Sequence, residues 1–253
     1  MSFNVNKFRK ITRNISRIKG LYRFHLGKCP ICESNTLFVS LNSWLRDNYV
    51  CIKCLSIPRQ RAIIHVLKTY YPDFRNAHIH ESSPSGPASE YLEKVCQNYS
   101  FSHYFPDKAS GSFSGQVRCE NLEALSFGDN IFDLFVTQDV FEHLYNPFKG
   151  FKEIARILKP GGVHFFTVPY YEEMEKSEPR ILLKDGVIEY IKPKEYHKNP
   201  VDEKGSLVTY DYGRDLALLI DQASGLKTTV FLIREKKLGL DGQFLHVFAS
   251  IKP

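Results

Sequence analysis

Residues 127–169 constrain the fold of this 253-residue chain more than any other segment. Their pattern predicts a buried strand, a loop, an amphipathic helix, a Pro-Gly-Gly turn and a second buried strand. The loop carries four polar side chains, those of Gln138, Asp139, Glu142 and His143. Because open α/β sheets bind ligands at the carboxyl ends of their strands, this loop is predicted to line a ligand site.

Helices and strands alternate along most of the chain, which predicts an α/β fold with a doubly wound parallel sheet. The predicted helices cover residues 59–70, 87–96, 147–158 and 214–223. The predicted central strands cover residues 77–80, 99–105, 116–119, 133–137 and 163–168. The chain is predicted to end in an antiparallel hairpin of residues 226–234 and 244–251, joined by a Gly-rich turn.

Four of the six cysteines form two knuckles, Cys29-Pro-Ile-Cys32 and Cys51-Ile-Lys-Cys54. Two thiolates three positions apart on a tight turn face one cation, and two such pairs complete a tetrahedral zinc site. With all four ligands being thiolates, no position is open for a catalytic water, so the predicted role is structural. Two disulfides or unrelated thiols are the alternatives, and disulfides require an export route. Cys96 and Cys119 are predicted to be core residues.

The chain is predicted to have three parts: a basic amphipathic helix at 1–26, a zinc ribbon at 27–58 and a catalytic domain at 59–253. Residues 1–28 hold eight Lys/Arg and no acid, and Phe8, Ile11, Ile15 and Ile18 lie on one helical face. This helix is expected to dock on the body. Contact with a membrane surface or a polyanion, or a role as a transit-type leader, are alternatives.

The remainder of the chain is slightly acidic, with 26 Lys/Arg against 28 Asp/Glu, so nucleic acid is not the expected partner. No apolar run is long enough to span a membrane, and the N-terminal segment lacks the continuous apolar core of a secretory signal. We therefore expect a cytoplasmic protein, with membrane association through residues 1–28 as an alternative.

Residues 170–212 form an insert after the last central strand, at the end of the sheet where ligands bind. This position predicts a lid over the substrate, with a short hairpin on Asp185-Gly186. Tyr170 and Tyr171 either wall the acceptor pocket or belong to the core. His197, in the insert, joins His143 as a candidate base or acceptor-positioning group. The alternatives are lid folding for His197 and a backbone hydrogen bond for His143.

Several motifs together resemble the class I S-adenosylmethionine-dependent methyltransferases of the type 11 methyltransferase-domain group. They are Leu125-Ser-Phe-Gly-Asp-Asn-Ile-Phe-Asp-Leu, Gln138-Asp-Val-Phe-Glu-His143, Glu153-Ile-Ala-Arg-Ile-Leu-Lys-Pro-Gly-Gly162 and Phe166-Thr-Val-Pro169. The resemblance implies a Rossmann-like seven-stranded sheet with an antiparallel terminal hairpin, and S-adenosylmethionine as cofactor. The cysteine head and Tyr196-His-Lys-Asn-Pro200 are similar to a subgroup associated with glycans or other secondary metabolites.

The resemblance also assigns residues to the cofactor. In the usual Gly-rich loop around the methionine part, Glu81 retains the acid and Gly86 one glycine, while Ser82, Ser83 and Ser85 offer hydroxyl donors where glycines normally allow close approach. His103 and Tyr104 occupy the place of the ribose-binding acid, and Asp107 is the nearest carboxylate. The remaining predicted contacts are Glu120, Asn121 and Leu122 at the adenine, with Gln138 and Asp139 on the cofactor side.

The expected reaction is in-line methyl transfer to a small-molecule or glycan acceptor. An RNA methyltransferase whose zinc ribbon grips the substrate is an alternative, and activity with steep salt dependence would favour it. A non-catalytic adenosyl-binding or scaffold protein is the third hypothesis, motivated by the altered loop at 81–87.

Overall fold

The computed structural model describes residues 22–184, 186–197 and 204–253. Residues 1–21 of the predicted basic helix therefore lie outside the described residues. Residues 23–26, which we had assigned to the same segment, belong to strand β1 (Arg23–Lys28), because this strand pairs along its whole length with β2 (Asn35–Ser40).

The cysteine head is a small antiparallel sheet. Strands β1 and β2 are joined by β3 (Val50–Cys51), and a short helix α1 (Leu45–Asn48) fills the connection between β2 and β3.

Eight strands form the main sheet, in the order β16-β17-β9-β8-β4-β5-β7-β6. Their bounds are β4 His78–Ser82, β5 Asn98–His103, β6 Phe113–Ser114, β7 Val117–Cys119, β8 Phe132–Gln138, β9 Leu158–Thr167, β16 Lys227–Leu232 and β17 His246–Ile251. The five central strands are parallel, and β17 inserts antiparallel between β9 and β16. The predicted fold class is confirmed, with the two-residue β6 as an added edge strand.

The chain changes direction across the sheet beside β4. From β4 it proceeds outward to β5 and β7, and then returns to β8 and β9 on the other side. Such a switch point leaves a crevice outside the carboxyl ends of the neighbouring strands, since the two connections leave in opposite directions.

Four longer helices cover the sheet: α2 Pro58–Tyr70, α3 Pro87–Val95, α4 Pro147–Ile157 and α5 Leu216–Ser224. Three of them begin with proline, whose fixed φ and missing N–H suit the first helical turn. Asn146 caps α4 by accepting a hydrogen bond from the Lys149 backbone N–H at 3.1 Å. No helix within the described ranges is long and apolar enough to cross a membrane.

Alternate residues of the central strands enter two different cores. Leu134 and Val136 join the cluster under α2 and α3, whereas Phe135 joins the cluster under α4 and α5. Phe165 and Phe166 divide in the same way on β9. The two-residue period of a strand therefore explains why these segments are apolar throughout.

The insert forms three short antiparallel pairs. They are β10 (Glu178–Pro179) with β15 (Tyr210–Asp211), β11 (Ile181–Lys184) with β12 (Val187–Tyr190), and β13 (Tyr196–His197) with β14 (Ser206–Leu207). The predicted hairpin around Gly186 is therefore confirmed. Cys96 and Cys119 are buried, as expected.

Arg61, in a fully buried position, joins the head to the connection between β16 and β17. Its guanidinium donates to the carbonyl oxygens of Ser56, Tyr49 (2.7 Å) and Gly239 (2.8 Å), and lies 4.6 Å from the ring centre of Phe38. Burial lowers the pKa of Arg61 to about 10, and the nearby cysteine thiolates oppose that shift. Ser56 links Arg61 to the cysteines, because its hydroxyl oxygen lies 3.3 Å from Nη1 of Arg61 and 3.2 Å from the Cys54 sulfur.

Replacing Arg61 with methionine is expected to lower the free energy of unfolding by about 3 kcal/mol, because three buried carbonyl oxygens lose their donors. Equilibrium denaturation in urea measures the change. Arg75→Met is the matched control, since Arg75 is exposed, and it is expected to change stability by about 0.5 kcal/mol or less. Equal losses for the two variants would contradict this role of Arg61.

Candidate functional site

A cavity of about 860 Å³ opens at the carboxyl ends of β4, β5, β7 and β8. This is the crevice that the switch in strand order creates. Its volume lies toward the upper end of the ~300–1,000 Å³ range of small-molecule sites. Nine of the predicted cofactor residues line it: Ser82, Ser83, His103, Tyr104, Glu120, Asn121, Leu122, Gln138 and Asp139.

Glu81, one of the predicted cofactor residues, lies beneath the cavity and does not line it. Its fully buried carboxylate accepts hydrogen bonds from Ser89 (2.7 Å), Tyr99 (2.7 Å) and Gln138 (2.9 Å). Burial raises the pKa of Glu81, and these three donors act in the opposite direction. The carboxylate therefore ties the ends of three strands and α3 together, and orients Gln138 at the floor of the cavity.

The loop after β4 keeps a sharp turn without its usual glycines. Ser83 adopts a positive φ of 57°, and Gly86 has a φ of 72° immediately before α3. A Cβ on Gly86 would lie 2.6 Å from Nε2 of Gln60, which itself donates to the Ser85 carbonyl at 3.2 Å. Gly86, another predicted cofactor residue, lines a small neighbouring pocket and not the main cavity.

The residues after β7 are held rigidly. The buried Glu120 carboxylate accepts from the Arg118 guanidinium at 2.7 Å and from the Ser126 backbone N–H at 2.9 Å, so its charge is already paired. Asn121 accepts from the Glu123 backbone N–H through its side-chain oxygen at 2.9 Å. This turn fixes the Asn121 side chain at the cavity wall, beside Leu122.

Asp139, directly after β8, forms the strongest electrostatic contact of the site. Nη2 of Arg46, in α1, donates to both its carboxylate oxygens at 2.8 and 2.7 Å, and Arg59 lies 3.2 Å away. Burial would raise the pKa of Asp139, but the two guanidinium groups hold it well below its usual range. Asp139 therefore fastens the cysteine head over one side of the cavity.

His143 and His197 meet at another side of the cavity, with ring centres 5.2 Å apart. Nδ1 of His143 lies 2.9 Å from the Leu207 carbonyl oxygen, the backbone hydrogen bond considered as the alternative to a catalytic role. Nδ1 of His197 lies 3.6 Å from Oε1 of Glu142, and this contact raises the pKa of His197. The two predicted candidates are thus joined by a buried carboxylate.

The insert holds the loop that carries these groups. Thr209 donates through its backbone N–H to the Glu142 carbonyl at 2.7 Å and through its hydroxyl to the Leu144 carbonyl at 2.5 Å. Tyr212 donates to the Phe141 carbonyl at 2.9 Å. Tyr171 lines the cavity, whereas Tyr170 packs on His246 and Phe248. The insert therefore builds one wall of the cavity, where a lid was predicted.

The four knuckle cysteines also come together. Their sulfurs all lie within 4.8 Å of one another, with Cys29 to Cys54 at 3.7 Å and Cys32 to Cys51 at 4.0 Å. Cys29 and Cys51 are buried, and none of the four forms a disulfide.

The contribution of the head to the cavity was not predicted from the sequence. Trp44, Arg46, Asp47 and Asn48 of the head line it, together with Arg59 at the start of α2. Each belongs to a residue type that is common on surfaces, and no spacing links them to Asp139. The single tryptophan of the chain, placed between the two knuckles, was the only hint of a functional surface there.

Residues 83–166 match the family model described as a methyltransferase domain. Over this segment the chain is similar to methyltransferases. The prediction of a methyltransferase enzyme is supported by this match, which covers α3, the strands β5 to β8, α4 and most of β9.

Solved structures support the fold. An S-adenosylmethionine-dependent methyltransferase from Mesorhizobium loti is 15% identical, with a TM-score of 0.50, over 75% of this chain and 97% of that one. A chain from the complex between the Haloferax volcanii Trm112 methyltransferase activator and a methyltransferase is 16% identical, also with a TM-score of 0.50, over 77% and 90%. No curated protein matches the sequence.

Replacing Asp139 with asparagine is expected to lower the free energy of unfolding by about 3 kcal/mol, because the buried Arg46 guanidinium loses the carboxylate to which it donates two hydrogen bonds. Asp107→Asn, at an exposed position, is the control and is expected to change stability by about 0.5 kcal/mol or less. Urea denaturation at pH 7 measures the free energy of unfolding of both variants. An Asp139→Asn variant as stable as the wild type would show that the head does not depend on the Arg46–Asp139 pair.

Proposed function

We propose that the protein transfers the methyl group of S-adenosylmethionine to a small-molecule or glycan acceptor bound in the cavity at the carboxyl ends of β4, β5, β7 and β8. The single observation that carries this proposal is the lining of that cavity. Nine of the residues assigned to the cofactor by the family resemblance surround one space, together with both candidate histidines.

The cofactor is proposed to lie along the strand ends. Asn121 and Leu122 would contact the adenine, while Ser82, Ser83 and Gln138 would face the methionine part. The ribose hydroxyls would meet His103 and Tyr104, since no carboxylate follows β5 directly. Glu81 and Glu120 support these contacts from buried, already bonded positions.

Methyl transfer from a sulfonium is an in-line displacement, so the protein must align the acceptor with the S–CH₃ bond and exclude water. The wall formed by His143, His197 and Tyr171 faces the cavity from the insert side. We propose that the acceptor binds there. The cavity is walled on its other side by Trp44 and Arg46, so the head limits the size of the acceptor.

A structural zinc ion is proposed for the four knuckle cysteines. A tetrahedral ion with Zn–S bonds of ~2.3 Å separates its sulfurs by about 3.8 Å, and the distances of 3.7 and 4.0 Å fit that geometry. The buried positive charge of Arg61 complements the net negative charge of such a centre. The ion would hold the head in the shape that presents Arg46 to Asp139.

Asn121→Ala is expected to weaken S-adenosylhomocysteine binding about tenfold, equivalent to about 1.4 kcal/mol, because the adenine loses a hydrogen-bonding partner. Isothermal titration calorimetry measures the affinity, and Asn98→Ala, at an exposed position on β5, is the control. Equal affinities for the two variants would refute the adenine assignment. If the wild-type protein bound neither S-adenosylhomocysteine nor S-adenosylmethionine, the proposed donor would be wrong.

Cys51→Ser is expected to reduce bound zinc from one ion per chain to a small fraction, and to lower the melting temperature, because three thiolates hold the ion less tightly. Metal analysis by mass spectrometry and calorimetric melting measure the two effects. Cys96→Ser is the matched control, since it alters a buried thiol outside the knuckles and should leave the zinc content unchanged. Wild-type protein without zinc and with an ordinary melting curve would contradict the proposal.

A further inference from the structure

Glu142 is a buried carboxylate with an unusual lack of hydrogen bonds. The residue is fully buried, and neither Oε1 nor Oε2 has a hydrogen-bond partner among residues 22–184, 186–197 and 204–253. An unsatisfied buried acid costs several kcal/mol unless another charge compensates it. Thr209 and Tyr212 hold the loop through the backbone carbonyls of Glu142 and Phe141, and not through the Glu142 carboxylate.

Two imidazoles face this carboxylate at distances too long for hydrogen bonds. Nε2 of His143 lies 3.8 Å from Oε1 of Glu142, and Nδ1 of His197 lies 3.6 Å from the same oxygen. The three ligand atoms lie within 4.8 Å of one another. Two atoms bound to one ion at ~2.1 Å are separated by about 3.0 to 4.2 Å, so a small rotation of the imidazoles suffices to enclose a cation.

Both imidazoles are oriented as metal ligands are. Nδ1 of His143 is engaged by the Leu207 carbonyl oxygen at 2.9 Å, which fixes the tautomer that leaves a lone pair on Nε2. Nε2 of His197 lies 3.4 Å from Glu195, whose other oxygen is held by Arg180 at 3.0 Å. A carboxylate behind a histidine raises the basicity of the nitrogen that faces the metal.

We propose that Glu142, His143 and His197 bind a divalent transition-metal cation at the wall of the cavity, separate from the cysteine site. Two imidazoles and one carboxylate suit zinc, manganese, iron or cobalt, and leave coordination positions open. His143 and His197 both line the cavity, so the open positions face the space proposed for the acceptor.

The site also defines the acceptor chemistry, a step that rests on the proposed methyl transfer. An acceptor hydroxyl bound to the cation has a lowered pKa and loses its proton to solvent. The oxygen then attacks the methyl carbon, the O–C bond forms as the S–C bond breaks, and the sulfonium becomes the neutral thioether of S-adenosylhomocysteine. The substrate class is therefore an oxygen acceptor, an alcohol or phenol.

Titration of the purified full-length protein with MnCl₂ tests the site. Mn²⁺ is chosen because it prefers imidazole and carboxylate over the thiolates of the cysteine head. Calorimetry is expected to give one Mn²⁺ per chain, with at least tenfold weaker binding in Glu142→Gln and His197→Gln. His65→Gln, on α2 and away from the cavity, is the control and should bind like the wild type. Absence of saturable Mn²⁺ binding, or equal binding by Glu142→Gln, would overturn the proposal.

Two further measurements make the test decisive. Glu195→Gln leaves all three ligands in place and is expected to weaken Mn²⁺ binding about tenfold. This variant tests the site even if Glu142→Gln does not fold. Water proton relaxation by the bound Mn²⁺ should be enhanced if open positions face the cavity, and a value showing no bound water would contradict the acceptor role. S-adenosylhomocysteine titrated into the same samples separates failure of this site from failure of the proposed donor.

Discussion

The ion pair between Arg46 and Asp139 joins two parts of the chain that are far apart in sequence. Arg46 belongs to the short helix of the cysteine head, and Asp139 directly follows the strand that opens the cavity. Both side chains are largely removed from water, at 7% and 14% exposure, so each charge depends on the other for its stability. The position of the head over the strand ends follows from this contact, with Arg61 as a second buried connection.

A cavity built in this way has two walls of different origin. The strand ends and the loops after them supply the polar groups proposed for the cofactor, and they are fixed by the buried carboxylates Glu81 and Glu120. The insert supports the loop that carries Glu142 and His143. The Leu207 carbonyl bonds Nδ1 of His143, and the Thr209 hydroxyl donates to the Leu144 carbonyl. Cofactor binding and acceptor chemistry are therefore assigned to separate parts of the same space, each held by its own network.

Much of the fold is predictable from sequence because it rests on local patterns. The apolar runs at residues 133–137 and 163–168, the Pro-led helices and the Gly-rich final turn each specify an element, and their alternation specifies the sheet. The cysteine cluster is predictable for the same reason, since two knuckles encode their own geometry. The sequence also predicts which residues lie together at the strand ends, because the carboxyl ends of parallel strands meet at one edge of the sheet.

The remainder depends on contacts between distant residues that leave no mark on local sequence. Arg46 and Asp139 are 93 positions apart, and the space beside Gly86 is filled by the side chain of Gln60 from another helix. Glu81 has the residue type of a cofactor ligand, but its carboxylate already accepts hydrogen bonds from Ser89, Tyr99 and Gln138. Burial and prior hydrogen bonding decide whether a polar side chain is available to a ligand, and neither is readable from spacing.

A crystal structure of the protein with S-adenosylhomocysteine tests the central claim most directly. The account predicts that the adenine lies beside Asn121 and Leu122, with the homocysteine part over Ser82 and Ser83 and the sulfur directed toward the wall of His143 and His197. Electron density for the ligand outside this cavity, or a cavity without ligand in a protein that binds it in solution, would contradict the account.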